Sequence, residues 1–155
     1  MTVIPSEFID LLEGGVSIFV GTRDETNVPE AVRVAGAEVS KDRREVTVYI
    51  HEEWGAKALA NLRANGEVAA GFSRPVDNLS LQLKGKVKRI VPSSEASRAV
   101  PDRYHACYAE QLYIIGLPRS ITRRIRVWPA AAVTFEVASI FLQTPGPGAG
   151  KKLEA

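Results

Sequence analysis

Residues 79–91, LSLQLKGKVKRIV, open with Leu79, Leu81 and Leu83 alternating with Ser80, Gln82 and Lys84. A period of two belongs to an extended strand that buries one face and turns the other to water or to a ligand. A chain carrying this stretch has to build a sheet, and one face of that sheet is rich in hydrogen-bonding side chains.

Shorter β-rich runs precede it at 16–22, 30–40, 45–51 and 67–73, separated by turn-like stretches such as RDETNVP and KDRR. The first three of these runs are expected to form an antiparallel meander. A late run at 131–144, AAVTFEVASIFLQT, is a further strand. Helical spacing is confined to three places. Residues 6–13 form a short amphipathic helix closed by Gly14 and Gly15. Residues 53–64 place Ala58, Leu59 and Leu62 on one side and end at Gly66, which can take the left-handed conformation that closes helices. After Pro92, two helical pieces divide at Pro101, with Tyr104, Cys107, Tyr108 and Leu112 at helical spacing.

Several strands with one mid-chain helix and a late helical pair predict a mainly β fold, an antiparallel Greek-key-like barrel with flanking helices. One domain is expected over residues 1–143, followed by a flexible Pro/Gly-rich tail over 144–155. The 155 residues suffice for a core without metal or disulfide staples, and 45% hydrophobic with 25% charged residues is ordinary globular composition. A net charge of +2 with dispersed basic residues gives no electrostatic footprint for nucleic acid, and the local cluster RRIR at 123–126 is expected on a solvated surface. No apolar run approaches the roughly 20 residues that cross a bilayer. A single cysteine excludes an intramolecular disulfide, and the N-terminus lacks the layout of a signal peptide, so a cytoplasmic setting is the expectation.

The stretch at 48–66, VYIHEEWGAKALANLRANG, runs a strand into a helix whose opening holds one lysine, Lys57. Helix N-termini carry partial positive charge and free N–H groups, so a cation there is unfavourable unless an anion lies between them. A solvated pair with Glu53, four residues earlier, is the plainer possibility. His105 and Cys107, two apart on a helix, point to different sides, and no metal site is expected from them.

The order of elements, with PEAVRV (29–34), VYIHEEWGAK (48–57), LRANGEVAAGF (62–72) and LQLKGKV (81–87), resembles the pyridoxamine 5′-phosphate oxidase-like FMN-binding split barrels over roughly residues 6–137. The resemblance implies a homodimer with two FMN molecules at the subunit interface and a small-molecule substrate. It implies a phosphate contact for Arg33, whose forked guanidinium suits a phosphate dianion, and for Lys57, although Gly55 replaces the family's serine. It places Tyr49, Ile50 and His51 at the strand end beside the flavin. It expects a glutamine on the later strand; Gln82 lies on the suitable face, and Ser80 has the family's spacing to the following glycine. Glu38 stands where a second basic residue is expected, leaving Arg74 or Lys84 as substitutes. The arginine-rich C-terminal signature of the true oxidase is absent, so vitamin B6 oxidation is not the expected activity. The implied function is a flavin-dependent oxidoreductase. The alternatives are a flavin-binding module without turnover, or the same barrel holding deazaflavin F420 or haem, with His51 or His105 as the haem ligand.

Overall fold

The computed structural model describes residues 2–154. Seven strands, β1 (Ser17–Arg23), β2 (Pro29–Arg33), β3 (Ala37–Val39), β4 (Glu45–His51), β5 (Glu67–Ser73), β6 (Ser80–Val91) and β7 (Ala130–Leu142), form one antiparallel sheet. Its order is β2-β1-β5-β6-β7-β4-β3. The run at 30–40, expected as one strand of a meander, is instead divided between the two opposite edges of the sheet. Gly36, at φ +108°, makes the break, a conformation that side chains with a Cβ rarely adopt. The link between the edges closes the barrel: the Val34 N–H donates to Ile18 O at 3.1 Å and the Ala35 N–H to Tyr49 O at 2.7 Å.

Alternation fills the interior. Ile18, Val20, Val46, Val48, Ala70, Phe72, Leu81, Leu83, Val133 and Phe135 all face inward and are buried. Each large side chain so buried stabilises the fold by about 1.5–3 kcal/mol relative to exposure, before the cost of ordering the chain.

Helices cover the barrel's ends: α1 (Ile9–Leu12), α2 (Ala56–Asn65), α3 (Ala99–Ile114) and α4 (Arg119–Thr122). The α2 helix ends at Gly66, whose φ of +70° and N–H bond to Leu62 O close it as expected. It begins three residues later than expected, because Glu52–Gly55 form a turn in which the Gly55 N–H donates to His51 O at 2.8 Å. Pro101 does not split the third helix. It sits in the first turn of α3, where N–H groups have no intrahelical acceptor and proline removes nothing. Of the four residues on its expected stripe, Tyr104 and Tyr108 are buried and Leu112 half-buried, whereas Cys107 is exposed.

The segment after β7 makes backbone hydrogen bonds to it. The Gly150 N–H donates to Leu142 O at 2.7 Å and the Leu153 N–H to Ile140 O at 2.9 Å, so the chain returns antiparallel along the end of β7, past the reach of β4. Among the described residues no helix is long and apolar enough to cross a membrane.

Candidate functional site

At the end of β4 the chain makes a tight turn that presents two aromatic rings. His51 is buried, and its Nε2 lies 3.1 Å from the carbonyl oxygen of Trp128. A carbonyl only accepts, so Nε2 carries the proton and Nδ1 is left as the acceptor, with the Trp54 N–H 3.5 Å away. The Trp54 indole stacks on the imidazole with centroids 4.4 Å apart. Gly55 makes this turn possible for a reason of space. A Cβ there would stand 2.2 Å from Ile50 Cγ2 and 2.7 Å from His51 O.

The facing wall comes from the end of β2 and from α3. Arg33 Nη1 donates to the Tyr108 hydroxyl at 2.8 Å, and its guanidinium lies 5.0 Å from the Phe19 ring centroid and 5.5 Å from that of Tyr108. Tyr108 stacks on Tyr104, whose hydroxyl donates to Val16 O at 2.7 Å. Burial, and then the neighbouring Tyr108, push the Tyr104 phenol above its ordinary range, so it is a fixed neutral donor. His105 Nε2 donates to Thr122 O at 2.8 Å. Arg126, from the segment after α4, lies 5.7 Å over the Trp54 ring and 3.8 Å from Glu53 Oε2.

Arg33, His51, Trp54, His105, Tyr108 and Arg126 thus line one narrow cleft. Its free space is about 40 Å³. That admits a few water-sized groups and excludes a fused ring system.

Arg33 and His51 are brought together as the sequence suggested; the other expected residues lie elsewhere. Lys57 is not among the cleft-lining residues; its Nζ is 3.0 Å from Glu30 Oε2. Glu30 and Arg33 are three apart on β2, so alternation turns them to opposite faces. The expected pair of Lys57 with Glu53 is replaced by these two contacts, Lys57 with Glu30 and Glu53 with Arg126. Ile50 points its side chain into the core, beside Gly55. Tyr49 is buried and donates to Glu38 Oε2 at 2.5 Å. Burial, then that bond and the Glu38 charge, raise the Tyr49 phenol above its ordinary range. Glu38, in place of the expected basic residue, is therefore committed to Tyr49.

Ser80 is buried with its hydroxyl 2.8 Å from both the Ser73 hydroxyl and the Asn78 carbonyl, a closed local network. Gln82 lies on the outward face, opposite Gly71 on one side and Phe141 on the other. The register places Arg33, Phe19, Gly71, Gln82 and Phe141 in one row across the sheet. At strand spacing, Gln82 is about 14 Å from Arg33 along that row. Between Phe19 and Gln82 the floor is bare, since Gly71 in that row and Gly21 and Ala69 in the adjacent row add almost no side chain. An open groove of about 400 Å³ lies on this face, bordered by Arg23, Lys84 and Lys86. The proposed substitutes for a second phosphate cation are engaged away from the cleft: Arg74 pairs with Asp77 at 2.5 Å, and Lys84 sits 5.0 Å over Phe141.

No protein-family model and no curated protein matches the chain. Solved structures do. An F420 reductase superposes with a TM-score of 0.61 at 16% identity, covering 88% of this chain and 98% of its own. The chain has the split-barrel fold. A putative pyridoxamine 5′-phosphate oxidase from Lactobacillus delbrueckii gives a TM-score of 0.57 at 10% identity, over 90% of this chain and 93% of that one. An FMN-binding protein from Syntrophomonas wolfei gives 0.54 at 10% identity, over 87% and 85%. The resemblance drawn from the sequence is borne out in the fold.

Proposed function

We propose that this chain binds a flavin-type cofactor, FMN in the first instance, at the interface of a homodimer, and acts as an oxidoreductase on a small molecule in the cytoplasm. The observation that carries the reading is Arg33. Its guanidinium lies over two aromatic rings at the mouth of a cleft sized for a phosphoryl group, and its hydrogen-bond partner is a tyrosine hydroxyl rather than a carboxylate. A phosphate there gains charge-assisted bonds without displacing an ion pair.

The bound flavin would supply hydride and electron transfer through its ring. The chain's own groups bind, orient and exclude water. Arg33 takes the phosphate, the His51–Trp54 stack forms one wall, and the bare floor between Phe19 and Gln82 leaves room for a flat ring outside the cleft. Tyr49 is not a free acid, because it donates its proton to Glu38 Oε2, and His51 is anchored through Nε2 with Nδ1 left as its acceptor. The outward face favours a second copy as its cover, since Phe19 stands 45% exposed beside glycines that offer a flat docking surface. Deazaflavin F420 stays as an alternative through its own phosphate chemistry and the F420 reductase fold. Haem stays as an alternative only through a ring Nδ1, because both histidines place Nε2 at a backbone carbonyl.

The test is a titration of the purified protein with FMN, riboflavin and F420, followed by flavin fluorescence quenching and visible absorption, with size-exclusion chromatography for the dimer. One FMN per chain, bound more tightly than riboflavin, supports the reading; binding of none of the three refutes it. Oxidation of a nicotinamide donor by the loaded protein separates an enzyme from a binding module.

A further inference from the structure

The cleft holds a second cation that sequence reasoning assigned to solvated surface. Arg126 and Arg33 both line it, one from the segment between α4 and β7 and the other from the end of β2. Each is racked on aromatic rings, Arg126 on Trp54 and Arg33 on Phe19 and Tyr108. Trp54 is in turn stacked on His51, which Trp128 O anchors, so the Arg126 side of the cleft is tied to β4.

The charge state of the candidates separates them. Lys57 already has Glu30 at 3.0 Å. Among the described residues Arg126 has only Glu53 as a carboxylate partner, at 3.8 Å and with both side chains well exposed, a contact of small net value. Arg33 has no carboxylate partner among the described residues. An incoming dianion is therefore drawn to the arginine pair rather than to the lysine. Two guanidinium forks lining one small cleft suit a phosphate monoester, which offers three terminal oxygens to their N–H groups.

Granting the flavin reading above, on which this rests, we propose that Arg126 is the second phosphate-binding residue of the cofactor site, and that with Arg33 it sets the preference for phosphorylated over unphosphorylated flavin. The Tyr108 hydroxyl holds the Arg33 fork in place until the phosphate arrives.

The experiment compares FMN and riboflavin affinities, by fluorescence quenching, for the wild type, Arg126→Ala, Lys57→Ala and Arg124→Ala, with inorganic phosphate as competitor. Arg124 is exposed and outside the cleft, so its variant reports the general loss of one positive charge. Arg126→Ala is expected to weaken FMN at least tenfold while leaving riboflavin within twofold, so that the FMN preference collapses and phosphate no longer competes. The same loss in Arg124→Ala, an unchanged FMN-to-riboflavin ratio in Arg126→Ala, or loss of that ratio in Lys57→Ala instead, would each overturn the proposal. A wild-type protein that binds neither flavin overturns the flavin reading itself, which is a different result from selective failure of the Arg126 variant. Circular dichroism confirms that the variants are folded.

Discussion

Gly55→Ala tests whether the turn at the end of β4 is held by space rather than by backbone conformation. Gly55 has φ −93°, which any residue adopts, so backbone strain predicts almost no cost. The packing predicts otherwise. The added methyl meets Ile50 Cγ2 at 2.2 Å, inside a fully buried side chain, and His51 O at 2.7 Å. Overpacking of this kind costs about 1–3 kcal/mol. Shifting the turn to relieve it loosens the 2.8 Å bond from the Gly55 N–H to His51 O, a further loss of about 1 kcal/mol. The total of roughly 2–4 kcal/mol, at about 2–4 °C per kcal/mol for a domain of this size, lowers Tm by roughly 4–16 °C. Calorimetry or a circular-dichroism melt measures it, and tryptophan emission reports displacement of Trp54 from His51. The steric cause has its own signature: in an Ile50→Ala background, where Cγ2 is gone, the same glycine substitution should cost at least about 1 kcal/mol less, as expected for directly coupled neighbours. A melt within 2 °C (about 1 kcal/mol or less) of the wild type, or an equal cost in both backgrounds, would refute the reasoning.

Two further predictions concern titration. The phenols of Tyr49 and Tyr104 are raised above their ordinary value of 10.0, by burial first in each case. Below pH 10 neither adds a pH dependence, and above it the unfolded chain loses phenolic protons that the native state retains, so stability falls as pH rises. Phenolate absorbance should accordingly develop in two stages, the second coincident with alkaline unfolding, and Tyr49→Phe should shrink the second stage; a single early transition for all tyrosines would count against this. In the β5–β6 turn the Asp77 carboxyl is lowered to about 2, first by the Arg74 bond and then by the Leu79 N–H. Its contribution is present above the unfolded value of 3.8 and disappears as pH falls through about 2. Asp77→Asn should flatten the acid limb of the stability curve between those values, and an unchanged limb would show that the Arg74 pair is solvated away.

Much of this molecule follows from local pattern. The alternation of Leu81 and Leu83 with Ser80, Gln82 and Lys84 determined a half-buried strand, and Gly66 determined the end of α2, because strand faces and helix caps depend on a few adjacent residues. Arg33 and His51, each at the end of a strand of the resembling pattern, were legible as strand ends, and both line the cleft. What local pattern does not hold is which strand ends meet. Residues 30–40 have one continuous β period, yet Gly36 divides them between opposite edges of the sheet, and only barrel closure makes that division favourable. Arg126 belongs to a basic run that is indistinguishable, by composition, from solvated surface; its place in the same cleft as Arg33 arises because α3 and α4 carry the chain back to the end of β4. Lys57 shows the converse, a helix-opening cation whose partner, Glu30, is far off in sequence. Periodicity sets which face a side chain takes, whereas long-range closure sets what that face meets, and a binding site depends on the second.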